Sequence, residues 1–236
     1  MTDDALMRER ADRRHALARI ENLIKNTPTM HVESSVLEAA GICHLTLCLE
    51  EDNALHHPRF FQPYQEELPL PENEEELLGF EPDPDRIMWE ARAMELFLTK
   101  QFYKCGRYAA LKYPHNPRPS GGYRKYYAVS VTDYWTGNCP HFKVMLESDA
   151  VGDDRLLRGE IMTFTDIMAA RLRTKSLRPH IVAPILVVSL MGPRHARVLE
   201  AGYDGKTLNI RATRILQLLT RYWLGGACGQ TEMEPS

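Results

Sequence analysis

Cysteine and histidine residues occur together in two parts of the chain, and their thiolate and imidazole groups are the ligands that zinc prefers in proteins. The two groups are Cys43, His44, Cys48, His56 and His57, and then Cys139 and His141. Structural zinc sites usually combine two closely spaced pairs such as Cys-x2-Cys. Four residues separate Cys43 from Cys48, and a strand would place these two on opposite faces. We therefore predict no metal site here, and expect ordinary thiols and histidines.

Arginine and lysine side chains, which pair with phosphates, are concentrated in the C-terminal half of the chain. Residues 101–221 hold 19 Lys/Arg and 9 Asp/Glu, whereas residues 50–100 hold 4 Lys/Arg and 14 Asp/Glu. The candidate binding residues are Arg171, Arg173, Arg194, Arg197 and Arg211. Tyr123–Tyr127 interleaves aromatics with cations, a combination that stacks bases and pairs phosphates. This division of charge indicates a basic face for an anionic partner, an acidic segment over that face, or an ordinary solvated surface.

Familiar nucleophile and nucleotide-binding motifs are absent from the sequence. It contains no Gly-x-Ser-x-Gly elbow, no Gly-x-Gly-x-x-Gly fingerprint and no Walker-type loop. Ser189 lies inside an apolar run, where a core hydroxyl is expected. The sequence thus does not indicate a serine hydrolase or a nucleotide-binding protein.

Size and composition predict one globular unit. The chain has 236 residues, 44% of them hydrophobic, which is enough for one sizeable core. Five cysteines without framework spacing favour reduced thiols, and the charged N-terminus lacks the apolar region of a secretory signal. No apolar run approaches 18 residues. We expect a soluble intracellular protein, cytoplasmic or nuclear, with no membrane contact and with its oligomeric state left open.

The elements that must position these residues follow from hydrophobic periodicity, which predicts four regions. They are an N-terminal helical lead at 1–50, an acidic Pro/Glu-rich linker or loop at 51–85, an α/β core domain at 86–224 and a disordered tail at 225–236. Within the lead, residues 3–25 form a helix that ends before Pro28. Within the core, a helix over 86–104, a hairpin over 125–147 and a helix over 164–174 precede strands over 180–214. The predicted fold is α/β (α+β), with a single mixed sheet and flanking helices.

The best-specified part is the run from His180 to Arg214. Ile181–Met191 is almost continuously apolar, as in a strand covered on both faces, with Pro184 at the strand start or at a bulge. Asp204-Gly205 predicts a type I′ hairpin turn. Residues 208–213 alternate like a strand with one solvated face. We therefore expect Arg197 and Arg211 on an exposed hairpin face.

Part of this run resembles a known family. The stretch Pro184–Arg214, through Met191-Gly192-Pro193, Arg197–Glu200 and Tyr203-Asp204-Gly205, resembles a block in uncharacterised intracellular proteins of filamentous fungi. The resemblance covers about the last third of the chain. It implies a recurring module and assigns no functional residue.

The element order from the helix at 86–104 onward is similar to the core of PD-(D/E)XK nuclease-like proteins. In that family an acid on one strand and an acid-x-lysine on the next hold a divalent metal and orient a water. The resemblance assigns catalysis to Asp133, Glu147 and Lys143 with Mg²⁺, and Glu90 or Glu95 would add a third carboxylate. The chain departs from the family because its second strand, HFKVMLES, lacks the Glu-x-Lys tripeptide.

Two functions remain as hypotheses at this point. The first is a non-enzymatic binding or scaffold module, without a cofactor, that binds a protein or a nucleic acid on its basic C-terminal hairpin side. The alternative is a metal-dependent nuclease, or a degenerate relative, that uses Asp133, Glu147 and Lys143. The alternative requires these side chains and one helix carboxylate to converge within metal-ligand reach.

Overall fold

The computed structural model describes residues 3–47, 58–67, 87–104, 126–134, 138–193, 195–213 and 216–233. The helices of this part of the chain are α1 (Asp3–Lys25), α2 (Ser34–Ala39), α3 (Ile87–Lys104), α4 (Arg158–Arg173) and α5 (Leu216–Leu224). A 3₁₀ turn covers Lys175–Leu177. The strands are β1 (Ile42–Thr46), β2 (Phe61–Gln62), β3 (Tyr126–Asp133), β4 (Phe142–Val151), β5 (Ile185–Gly192), β6 (His195–Tyr203), β7 (Leu208–Thr213) and β8 (Gly226–Ala227).

A mixed sheet of six strands, in the order β1-β7-β6-β5-β4-β3, forms the centre of the fold. Two of its neighbouring pairs, β1–β7 and β4–β5, are parallel, and the other three are antiparallel. Helices flank the sheet, so the expected α/β class with a mixed sheet is confirmed. None of the described helices is both long enough and apolar enough to cross a membrane.

Each face of the sheet carries its own hydrophobic core. On the first face, α1 and α4 pack against alternate residues of the strands, such as Val144, Val187 and Leu199. On the second face, α3 and α5 pack against the intervening residues, such as Met145 and Val188. Because both faces are covered, every residue of β5 is buried, as its continuous apolar run predicts. Pro184 directly precedes β5, so it removes no amide from the strand.

The N-terminal helix belongs to the same core as the sheet. Helix α1 has the predicted bounds, 3–25, and its apolar residues Leu17, Ile20 and Ile24 are buried against the first face. The same stripe continues toward the N-terminus as Arg10 and Arg13, which are also buried. Strand β1 follows and pairs with β7, so residues 3–47 contribute both a helix and a sheet edge to one structure.

Helix α4 begins six residues before its predicted start at Phe164. Thr163 and Asp166 have the spacing of a capping box, which is the local pattern that predicts a start at Phe164. The structure instead begins the helix after Leu157, whose backbone N–H donates to Glu160 Oε2 at 2.7 Å. This hydrogen bond satisfies a donor at the helix end. Residues 158–162 therefore form the first turn and a half of α4.

The connection between β6 and β7 differs from the predicted type I′ turn. It is a four-residue loop over 204–207, and Gly205 adopts a φ of 108°. Asp204 accepts hydrogen bonds from the backbone N–H groups of Lys206 and Thr207, both at 2.8 Å. These two hydrogen bonds to the Asp204 side chain stabilise the loop. A type I′ turn would need a positive φ at Asp204 as well as at Gly205, and Asp204 does not adopt one.

Two short strands outside the main sheet pair with each other. Phe61–Gln62 pairs with Gly226–Ala227, and Phe61 is fully buried. Thr231 O accepts hydrogen bonds from Ile181 N and Val182 N. Residues 226–232, expected to be part of a disordered tail, are thus hydrogen-bonded to the body of the protein. Residues 51–57 and 68–85 of the predicted acidic linker lie outside the described residues.

Strand β6 carries one buried ion pair on each face of the sheet. On the first face, the Arg197 guanidinium donates to Glu160 Oε1 at 2.9 Å and to Glu160 Oε2 at 2.7 Å. On the second face, Glu200 lies 3.9 Å from Arg211, and both side chains are almost fully buried. The Glu200 carboxylate also accepts the backbone N–H groups of residues 59–61. Burial raises the pKa of Glu200, while these three amides and Arg211 favour its charged form.

We predict that Arg197→Met lowers the free energy of unfolding by about 3–5 kcal/mol, because it leaves the Glu160 carboxylate buried without its partner. Urea denaturation followed by circular dichroism measures the change. The matched control is Arg155→Met, whose ion pairs with Glu33 and Asp153 are exposed and should contribute little. Equal effects of the two substitutions would contradict a structural role for the buried pair.

Candidate functional site

The arginines predicted on the hairpin are not on its surface. Arg197 and Arg211 are each only 2% exposed and are held by Glu160 and Glu200. The expectation that both lie on a solvated hairpin face is wrong, because helices cover both sides of the sheet at this point. Arg194 lies outside the described residues.

The remaining two predicted arginines lie near the end of α4 and differ from each other. Arg171 donates to Asp133 Oδ2 at 2.9 Å and to the carbonyl oxygens of Cys139 and Pro140. Its guanidinium is therefore engaged by the loop between β3 and β4. Arg173 is exposed to solvent.

The three residues assigned to nuclease chemistry do not converge. Asp133 lies opposite Phe142 in the β3–β4 register and bonds to Arg171 on the first face. Lys143 and Glu147 follow Phe142 by one and five residues, so they lie on the second face. There Arg92 of α3 donates to Glu147 Oε1 at 3.1 Å and lies 3.6 Å from Glu95. Glu95 and Glu147 thus share one arginine, while Asp133 lies across the sheet from them.

Lys143 forms hydrogen bonds with backbone carbonyl groups at the end of α5. Its Nζ donates to the carbonyl oxygens of Tyr222, Trp223 and Gly225 at 2.8, 2.8 and 2.7 Å. The side chain is 1% exposed. A helix leaves its last carbonyls unsatisfied, and a cation there also interacts favourably with the helix dipole. Lys143 therefore caps α5 from the neighbouring strand.

Exposed cations do gather elsewhere, at the junction of α1 with the C-terminal end of α4. A shallow cleft of about 210 Å³ lies there, and we call it the basic cleft. It is lined by Met7, Arg10, Arg14, Leu172, Arg173, Thr174, Lys175 and Arg178. No described residue of this lining is acidic. Arg173, Lys175 and Arg178 are exposed, and Arg14 is half-buried.

Arg10 forms the floor of the basic cleft. It is 1% exposed and donates to the carbonyl oxygens of Leu172, Thr174 and Leu177 at 2.6, 3.2 and 2.6 Å, and also to His180 O. These bonds satisfy the end of α4 and offset the partial negative charge of its carbonyls. Burial lowers the pKa of Arg10, and repulsion from Arg14 and Arg178 lowers it further.

The basic cleft is suited to an anion. Arg10 and Arg14 both donate to the Leu172 carbonyl oxygen at the end of α4, at 2.6 and 3.3 Å, while Arg173, Lys175 and Arg178 are exposed around the cleft. The charges of Arg14 and Arg178 repel Arg10, and an anion in the cleft would relieve this repulsion. Guanidinium groups also match the geometry of phosphate oxygens.

Known proteins add no assignment to this geometry. No protein-family model, curated protein or solved structure matches the chain. Within the described residues, no three His, Cys, Asp or Glu side chains are grouped so that they could hold a metal ion. The side chains of the basic cleft therefore carry the evidence for a function.

Arg173 is the one residue of the described cleft lining that is also among the binding residues predicted from the sequence. The missed signal lies in α1, where arginines occupy positions 10 and 13 of the stripe that continues as Leu17, Ile20 and Ile24. An arginine on the buried side of a helix needs acceptors, and the end of a neighbouring helix supplies them. That neighbour is distant in sequence, so no local pattern shows it.

We predict that Lys143→Met lowers the free energy of unfolding by about 2–4 kcal/mol, because three carbonyl groups at the end of α5 lose their donor. Chemical denaturation measures this change. Lys206→Met, at an exposed lysine of the β6–β7 loop, is the control and should change stability by less than about 0.5 kcal/mol. A Lys143 variant as stable as the wild type would overturn the capping role.

Proposed function

We propose that this protein is a non-enzymatic binding module that contacts the phosphate backbone of a nucleic acid through the basic cleft. The observation that carries the proposal is the set of four cations around a lining without acids: Arg14, Arg173, Lys175 and Arg178. They come from two helices and the turn after one of them. Arg14 shares the Leu172 carbonyl oxygen with Arg10, whereas Arg173, Lys175 and Arg178 are exposed to solvent.

The shape of the basic cleft favours a polyanion over an enclosed small molecule. Its volume of about 210 Å³ is below the range of roughly 300–1,000 Å³ typical of ligand pockets. A backbone that passes over the cleft could present successive phosphates to cations on both of its sides. No aromatic residue occurs in the described lining, so base stacking does not contribute and the contact is independent of sequence.

The placement of Asp133 gives no support to the nuclease alternative. A metal-dependent mechanism needs carboxylates on one side of the sheet, whereas Asp133 is separated from Glu147 by the sheet. The binding function is therefore preferred, with its surface moved from the hairpin to the α1–α4 junction.

Four phosphate contacts predict a defined salt dependence. The slope of log K against log salt for a DNA duplex should be about −3 to −4, so the affinity falls roughly 100-fold between 50 and 200 mM salt. Fluorescence anisotropy with a labelled duplex of random sequence measures the slope. The double variant Arg173→Gln/Arg178→Gln should reduce its magnitude by about 2, because each substitution removes one phosphate contact.

Lys206→Gln is the matched control, since Lys206 is an exposed cation of the hairpin and lies outside the cleft. It should leave both affinity and slope unchanged. If the wild-type protein binds neither duplex DNA nor RNA at 50 mM salt, the proposal is wrong. If Lys206→Gln weakens binding as much as the double variant does, the basic cleft is not the surface.

A further inference from the structure

A cysteine and a histidine form a direct pair in the loop between β3 and β4. Cys139 Sγ lies 2.9 Å from His141 Nδ1. The imidazole is buried, and its ring meets Phe61 edge-on with ring centroids 5.3 Å apart. Arg171 holds the loop from α4 through hydrogen bonds to the carbonyl oxygens of Cys139 and Pro140. The pair is therefore fixed in position, while Cys139 itself remains partly accessible to solvent.

The hydrogen bond of His141 Nε2 determines whether Cys139 or His141 is the donor in the pair. His141 Nε2 lies 2.8 Å from the carbonyl oxygen of Cys228. A carbonyl oxygen only accepts hydrogen bonds, so Nε2 carries the proton and donates it. In the neutral imidazole Nδ1 then has a free lone pair, which accepts the thiol proton of Cys139. A thiol, an imidazole base and a group that orients the base form the arrangement that activates nucleophilic cysteines.

The surroundings of the pair keep the His141 imidazole neutral at pH 7, so that its Nδ1 lone pair is available to the thiol proton. Burial lowers the pKa of His141 to about 4, and His180, Arg171 and Lys143 lower it by repulsion. Of the other groups around the ring, Tyr134 stays neutral because burial, with Cys139 and Cys228, raises the pKa of its phenol far above neutrality.

We propose that Cys139 is a reactive thiol site that takes soft electrophiles, with His141 receiving the thiol proton. With an alkyl iodide the sulfur forms a bond to carbon, and iodide leaves with the electron pair of the broken carbon–iodine bond. The proton passes from the thiol to His141 Nδ1 and then to water. This inference is independent of the basic cleft and of nucleic-acid binding.

The test is site-resolved alkylation of the full chain with iodoacetamide at pH 7, with each cysteine quantified by peptide mass spectrometry. Cys43 and Cys228 are the internal references, because both are partly exposed, as Cys139 is. Burial raises the pKa of the Cys228 thiol, so Cys228 should be the slowest of the three. We expect Cys139 to react about tenfold faster than Cys43. A rate equal to or below that of Cys43 would overturn the proposal.

His141→Gln is the variant that separates assistance from exposure, since the glutamine amide still donates to the Cys228 carbonyl. In a folded variant the rate at Cys139 should fall to that of Cys43, and an unchanged rate would contradict the role of His141. The pH profile of the wild type gives a second readout if the variant does not fold. Between pH 7 and pH 6 the rate of an unassisted free thiol, such as added N-acetylcysteine, falls about tenfold because its thiolate fraction falls tenfold. The rate at Cys139 should fall less, and an equal fall would also contradict the proposal.

Discussion

The architecture depends on two buried acid–base pairs that lie on opposite faces of β6. Glu160 with Arg197 joins the first turn of α4 to the sheet, and Glu200 with Arg211 joins β6 to β7. Glu200 also receives the backbone amides of residues 59–61 and so fixes that segment. A charge removed from water is strongly destabilising when its partner is lost. These pairs therefore hold the covering elements of each face in one place.

This requirement for pairing also divides the cations of the chain into two classes. Arg197, Arg211, Lys143 and Arg171 serve the fold, because each is bound to a carboxylate, to carbonyl oxygens or to both. Arg173, Lys175 and Arg178 are exposed beside the end of α4, where Arg10 and Arg14 donate to the Leu172 carbonyl oxygen. A function that depends on positive charge is thus best supported at the α1–α4 junction. The net charge of the chain, −3, gives no sign of this local concentration.

The sequence predicted those parts of the fold that local pattern determines. The apolar run of β5, the stripe of α1 and the class of the sheet all follow from periodicity. The wrong prediction was that Arg197 and Arg211 lie on an exposed hairpin face. The sequence of β6 already argues against it, because Arg197 and Glu200 are three residues apart and must lie on opposite faces of a strand. A strand with one solvated face does not carry charges on both. Tertiary packing alone brings Arg197 to Glu160 and Glu200 to Arg211. It also brings Arg10 to the carbonyl groups at the end of α4. No local sequence pattern shows these contacts.

The central claim is that the cations left over by the fold, rather than those of the hairpin, form the binding surface. Hydrogen–deuterium exchange with and without a saturating DNA duplex at low salt tests it most directly. Added protection should be confined to peptides over residues 7–14 and 172–178, with no change over residues 195–211. Protection over the hairpin, or no protection anywhere, would contradict it.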